Sequence, residues 1–99
     1  MGRLVYGNSE LTVEIEDRAL AHLQIVIVAK LRRNEGFLFN WTNEPGDGRH
    51  SIWLHQAISL HFAFDNVGFA PINRQWLESL TVSASSAGGL RIVEEPQPN

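Results

Sequence analysis

Residues 17–33 read DRALAHLQIVIVAKLRR, and this stretch constrains the fold more than any other part of the chain. Asp17 suits a helix N-cap, because its carboxylate can accept hydrogen bonds from the first backbone amides. The last turn carries the basic residues Lys30, Arg32 and Arg33. A helix dipole favours cations at that end, and Asn34 and Gly36 then supply a stop signal. The pattern predicts a helix over residues 17–33.

This helix has apolar residues on two opposite faces. On a wheel of about 100° per residue, one broad stripe contains Ala19, Leu20, Leu23, Val26, Ile27 and Leu31. The residues Ala21, Ile25 and Val28 lie largely opposite that stripe. Two interpretations are open: the helix is packed on both sides within the monomer, or its second face forms a homodimer contact. The β-branched run could also form a buried strand, but no turn residue separates it from its helical flanks.

Alternating apolar residues predict strands on both sides of the helix. Two such runs precede it, at 3–6 and 11–16. Four follow it, at 37–42, 51–55, 60–65 and 90–93. The turn formers at 43–48 suggest a hairpin tip, and Asn73 is the expected cap of a second helix that runs to about residue 87.

The predicted order of elements is therefore ββαβββαβ. Mostly antiparallel neighbours with two helices on one face indicate an α+β fold with one sheet of about six strands. The 99 residues suffice for a single core, so one domain is expected over residues 1–93. Residues 94–99 are expected to form a flexible tail.

Composition excludes several classes of function. Eight Lys and Arg against eleven Asp and Glu give a formal net charge of -3, so no global positive field is available to hold a phosphate backbone. The chain has no cysteine, which removes disulfides, thiolate nucleophiles and cysteine-ligated zinc. No apolar run approaches the ~20 residues that span a bilayer. We expect a cytoplasmic protein that has no membrane partner.

The chain contains no pattern typical of a catalytic or metal site. His50, His55 and His61 fall on predicted strands, but without His-x-His or HExxH spacing. His22, inside the first helix, is interpreted as a hydrogen-bonded or half-exposed residue rather than as a base. We therefore predict no catalytic residue, no metal ligand and no cofactor.

One group of residues could contact nucleic acid. Basic side chains beside exposed aromatic rings can hold a single strand by charge and stacking. The candidates are Lys30, Arg32, Arg33, Arg49, Trp41 and Trp53. The alternative is structural, since cations at a helix end are stabilised by the dipole and tryptophans in strands usually pack.

Three segments together resemble a known family: YGNSELTVEIEDRALAHLQIVIVAKLRRNEGFLFNW (6–41), SIWLHQAISLHFAF (51–64) and SSAGGLRIVEEP (85–96). The family consists of small actinobacterial proteins with a domain of unknown function, often automatically named ATP-dependent DNA ligase. That name implies a nucleophilic lysine in a K-x-D-G motif. The sole lysine, Lys30, is followed by Leu31, Arg32 and Arg33, so the Asp and Gly are missing. The resemblance therefore extends to the fold and to no catalytic residue.

These observations favour a non-enzymatic protein-interaction module. We expect it to form a homodimer, either through the first helix, with Ala21, Ile25 and Val28 at the interface, or through an exposed strand edge. The alternative is a nucleic-acid-binding accessory module, and an enzyme is the least favoured class.

Overall fold

The computed structural model describes residues 1–8, 11–42, 48–69 and 71–97, which form six strands and two helices. The elements in chain order are β1 (Gly2–Tyr6), β2 (Leu11–Ile15), α1 (Asp17–Arg32), β3 (Phe37–Thr42), β4 (Arg49–Leu54), β5 (Leu60–Ala63), α2 (Arg74–Ala84) and β6 (Leu90–Arg91). The predicted order ββαβββαβ and the α+β fold class are confirmed. Most of the predicted hairpin tip at 43–48 lies outside the described residues.

The strands are divided between two three-stranded sheets, where a single sheet was predicted. The first sheet has the order β2-β1-β5, and both of its pairs are antiparallel. The second has the order β4-β3-β6, in which β3 pairs antiparallel with β4 and parallel with β6. Between β4 and β5 the chain turns, and the backbone amide of Ile58 donates to the carbonyl of His55 at 3.0 Å. After this turn the chain passes from the second sheet to the first, where β5 pairs with β1.

The start of α1 differs from the prediction. Glu16 occupies the N-cap position and its side chain makes no capping hydrogen bond. Asp17 is the first helical residue, and its carboxylate accepts instead from the backbone amides of Asp65 at 3.2 Å and Asn66 at 2.8 Å. The predicted capping role of Asp17 is therefore wrong, because its carboxylate accepts two backbone amides of a loop that is distant in sequence. At the other end Asn34 adopts a left-handed φ of 59°, which confirms the predicted stop.

The core lies where the apolar stripe of α1 meets β1 and α2. Leu20, Leu23 and Ile27 of this stripe are fully buried, whereas Leu31 at its end is half-buried. α2 packs on α1 and also contacts β3 and β6. Its apolar face contributes the buried residues Trp76, Leu80 and Ala84. The two helices thus join the two sheets through one hydrophobic core.

The second helix begins as predicted and ends earlier. The Asn73 side chain accepts from the amides of Gln75 at 3.0 Å and Trp76 at 3.3 Å, which confirms its capping role. The helix stops at Ala84 instead of about residue 87. The Ser86 hydroxyl donates to the Ser83 carbonyl at 2.6 Å, and such local side-chain bonds compete with helical ones.

Candidate functional site

The outer face of α1 is open to solvent. The side chains of Ile25 and Val28 are 42% and 37% exposed, and Ala21 is half-buried. The chain itself therefore does not pack α1 on both sides, which was one of the two interpretations of its sequence. The three residues predicted as an interface form an apolar strip that no other part of the described chain covers.

A second group of exposed apolar residues lies beside this strip, on the loop between β5 and α2. Val67 and Phe69 are completely exposed, and Ile72 is 47% exposed. Together with α1 the loop encloses a cavity of about 870 Å³. Its apolar lining, called here the α1 groove, consists of Ala21, Ile25, Phe64, Val67, Phe69 and Ile72. The sequence did not identify the loop residues as part of this surface. A run without periodicity indicates a loop, but it does not show which helix or strand the loop lies against.

The loop is attached to the first turn of α1 at both of its ends. At its start, the Asp17 carboxylate accepts the amides of Asp65 and Asn66. At its end, Nη1 of Arg18 donates to the carbonyl of Pro71 at 2.8 Å. Between these anchors Val67 and Phe69 project into solvent next to the outer face of α1. The segment that carries these exposed side chains is thus attached to α1 at both ends.

Arg18 also joins α1 to the segment after β6. Its Nε and Nη2 donate to the two carboxylate oxygens of Glu95 at 2.8 and 2.6 Å, and Asn73 Nδ2 donates to one of them at 2.9 Å. The Arg18 hydrogen bond, followed by that of Asn73, lowers the pKa of Glu95 from 4.5 to about 2. Glu95 belongs to the predicted flexible tail 94–99, whose last two residues lie outside the described residues. The mobility of that segment stays a prediction.

His22 is buried in the same region and both of its ring nitrogens are occupied. The Asn73 amide donates to Nε2 at 2.9 Å, so Nε2 carries no proton. The proton therefore resides on Nδ1, which lies 2.8 Å from the Arg18 carbonyl and donates to it. The ring centroid is 4.5 Å from that of Trp76. His22 links α1 to the start of α2, and it offers no free nitrogen for acid–base chemistry.

The residues predicted to contact nucleic acid do not converge on one surface. Lys30 is 9% exposed and its Nζ lies 3.1 Å from Glu35, which also pairs with Arg33 Nε at 3.3 Å. Arg32 is exposed. Trp41 is buried, with its ring centroid 5.6 Å from that of Phe39 and 5.3 Å from that of His50. Its ring is therefore not available for stacking on a base.

Arg49 and Trp53, by contrast, share the outer face of the second sheet. Both lie on β4 with an even spacing, and both are exposed. Arg91 of β6 joins this face, since it pairs in register with Asn40, which in turn pairs with Ser51 of β4. The sequence reasoning missed Arg91, because the parallel pairing of β3 and β6 leaves no local pattern.

Within residues 1–8, 11–42, 48–69 and 71–97, no group of three or more His, Asp or Glu side chains could hold a metal ion. His50 and His61 lie on different sheets, opposite Trp41 and Val5 respectively. Among the same residues, neither helix is long and apolar enough to cross a membrane.

One of three comparisons with known proteins gives a match. Neither a search of curated proteins nor a search of solved structures finds a match. Residues 1–95 match the model of a family described as a domain of unknown function (DUF7882). Since this match spans nearly the whole chain, the protein belongs to that family.

Proposed function

We propose that this domain is a protein-interaction module that forms a homodimer through the outer face of α1 and the α1 groove. The observation that supports the proposal is the proximity of two exposed apolar surfaces, one on the helix and one on the loop. Ile25 and Val28 belong to the first surface, and Val67 and Phe69 to the second. A contiguous exposed apolar patch on a small domain is typical of an interaction site.

The shape of this surface favours a second copy of the same chain as the partner. A two-fold symmetric interface is isologous, so a projection and a recess on one patch each meet their counterpart on the partner. Phe69 provides the projection, and the recess lies between Ala21 and Ile25 of α1 and Ile72 of the loop. In such a dimer, Phe69 of each chain occupies the groove of the other.

Most charged groups around the groove already have partners, which favours burial of its rim, and the exception, Glu16, lies at its exposed edge. Asp65 pairs with the Met1 amino group at 2.8 Å and faces Arg3 at 3.6 Å. Arg18 pairs with Glu95, and the Asp17 carboxylate accepts two backbone amides. Desolvating a paired charge is less unfavourable than desolvating an isolated one. A second copy can therefore cover the groove without burying these paired charges in isolation.

Sedimentation velocity over a range of concentrations tests the proposal. We expect a dimer at tens of micromolar that dissociates on dilution. A purely monomeric protein at those concentrations would remove the dimer from the proposal.

The cellular location and the absence of catalysis belong to the same proposal. We place the module in the cytoplasm, because a chain without cysteine is compatible with a reducing compartment. We propose no nucleotidyl transfer, because Lys30 lacks the Asp and Gly of the K-x-D-G motif and its amine is held by Glu35 at 3.1 Å. Incubation with labelled ATP tests this, and we expect no covalent label on Lys30.

A further inference from the structure

We infer that the outer face of the second sheet binds single-stranded nucleic acid, with Arg49 and Arg91 on phosphates and Trp53 stacked on a base. This site is separate from the α1 groove and does not depend on the dimer. It differs from the group of residues that the sequence suggested, because Arg91 enters it and Lys30, Arg32, Arg33 and Trp41 leave it.

Strand register places the three side chains on one face. Outward-facing positions of the sheet are Leu38, Asn40, Thr42, Arg49, Ser51, Trp53 and Arg91. At about 3.3 Å per residue, Arg49 and Trp53 stand roughly 13 Å apart along β4. Arg91 lies two strands from Ser51, or roughly 10 Å across the sheet. The two guanidinium groups can therefore contact different phosphates of a strand that also reaches Trp53.

The charge of this face suits a polyanion. None of the outward-facing positions of β3, β4 and β6 carries a carboxylate. Within the described residues, neither Arg49 nor Arg91 forms a salt bridge, so both keep their donors for a ligand. The acidic residues Glu14, Glu16, Asp17 and Asp65 lie instead near the first turn of α1. Within the described residues, the outward-facing positions of this face thus carry two arginines and no acidic side chain.

Trp53 is the aromatic residue that is placed to stack. Its side chain is 56% exposed, whereas Trp41 and Trp76 are 8% and 5% exposed. The indole packs against Gly36, where an added Cβ would lie 2.9 Å from a ring carbon. The indole ring of Trp53 is therefore supported by the backbone at Gly36. A supported aromatic ring beside arginines is the arrangement by which many proteins hold single strands without sequence preference.

The middle of the face is held by side-chain hydrogen bonds. Asn40 Nδ2 donates to the carbonyls of Gly88 at 2.9 Å and Leu90 at 3.3 Å, and the Ser51 hydroxyl donates to Asn40 Oδ1. These bonds join all three strands across the sheet. They fix the separation of Arg49 and Arg91 before any ligand binds, which reduces the entropy lost on binding.

Titration with oligothymidylate at low salt tests the inference through the intrinsic tryptophan fluorescence, because Trp53 is the exposed one of the three tryptophans. We expect quenching, and a plot of log affinity against log salt with a slope of about -1.4, from about 0.7 per phosphate for two phosphates. The double variant Arg49→Gln/Arg91→Gln should lose most of this slope. Trp53→Ala should weaken binding about tenfold at an unchanged slope, measured by the anisotropy of a labelled oligonucleotide.

The matched control removes the same charge elsewhere. Arg3→Gln/Arg74→Gln changes two exposed arginines on β1 and α2, so it should bind like the wild type. Equal losses in the two double variants would overturn the inference, because binding would then reflect net charge alone. A flat titration of the wild type would overturn it as well. Binding of the oligonucleotide without any tryptophan quenching would also contradict the inference, because Trp53 would then not be stacked on a base.

Discussion

Arg18 Nη2 lies 2.6 Å from Glu95 Oε2, and this ion pair joins the first turn of α1 to the segment after β6. The same arginine donates to Pro71 at the end of the loop that carries Phe69. The position of the exposed loop and the position of the C-terminal segment thus depend on one side chain. Because its partner Glu95 is titratable, the dependence of stability on pH tests this arrangement.

Acid should weaken the fold through Glu95. The pKa of this carboxyl is about 2 in the folded chain against an ordinary value of 4.5. Because the folded pKa is the lower one, the stabilisation is present above pH 4.5 and is lost as the pH falls from about 4.5 towards 2. We expect the melting temperature to drop in this window, and to drop less in Glu95→Gln. The exposed neighbour offers the control Glu94→Gln, which should keep the wild-type profile; identical profiles for all three proteins would contradict the prediction.

The dimer should depend on Ile25 and Phe69. A charge at either position would be buried without a partner, so Ile25→Glu and Phe69→Glu should each weaken association by about 2 kcal/mol or more, roughly 30-fold. Sedimentation equilibrium measures this change. Val82→Glu on α2 is the matched control, since Val82 is 72% exposed and lies outside the groove. All three variants should unfold within about 0.5 kcal/mol of the wild type, because these positions are exposed in the monomer. Wild-type association of the first two would exclude this surface as the interface.

Removal of His22 should destabilise the domain strongly. His22→Ala leaves the Asn73 amide without a partner in a part-buried site, removes the side-chain hydrogen bond to the Arg18 carbonyl, and removes the ring that packs on Trp76. We expect a loss of about 2–4 kcal/mol in the free energy of unfolding, measured by urea denaturation. His61→Ala, at an exposed position of β5, should change stability by less than about 0.5 kcal/mol. Similar losses in both would show that His22 has no special structural role.

The Asp17 carboxylate should control the mobility of the loop. Asp17→Ala frees the amides of Asp65 and Asn66, so their hydrogen exchange should become faster. The same variant should weaken the dimer, because Val67 and Phe69 then lose one fixed anchor. Glu16→Ala is the control, since it removes a neighbouring carboxylate that makes no capping hydrogen bond. Unchanged exchange at Asn66 in Asp17→Ala would contradict the role assigned to Asp17.

Two adjacent glycines should respond very differently to alanine. Gly89 has a φ of 89°, and an added Cβ would lie 2.6 Å from the Leu38 carbonyl oxygen. Gly89→Ala should therefore destabilise the domain by about 2 kcal/mol or more, through backbone strain and displacement of β6 from β3. Gly88→Ala meets no atom within 4 Å and should be close to neutral. Thermal unfolding of the two variants compares them directly, and equal stability would rule out the close approach at Gly89.

Local patterns in the sequence were sufficient for most of the elements. The alternation in residues 11–16 and the stripe on α1 arise from the periods of a strand and a helix, so both elements could be recognised without knowledge of the fold. The cap at Asn73 and the left-handed Asn34 are equally local, and the structure contains both. Helix ends were less accurate, because Asp17 bonds to a loop that is distant in sequence and the Ser86 hydroxyl bonds to the Ser83 carbonyl in competition with the helix.

The candidate surfaces were predicted only in part. Ile25 and Val28 were identified because they face away from the stripe of α1, which is a property of the helix itself. Phe69 and Arg91 were not, since each reaches its surface through contacts between distant segments. Lys30 and Trp41 were predicted as surface residues from the sequence alone. In the structure Lys30 forms an ion pair with Glu35, and Trp41 is buried in the core.

The sequence by itself determined the order of strands and helices, the buried face of α1 and the absence of a ligase motif around Lys30, because each depends on residues within one or two turns of chain. Only the tertiary structure decided that six strands form two sheets, that Asp17 and Arg18 hold the loop beside α1, and that Arg91 stands on the same face as Trp53. These features come from pairings between residues far apart in the chain. Such pairings depend on how the whole core packs, and a single sequence carries no local signal for them.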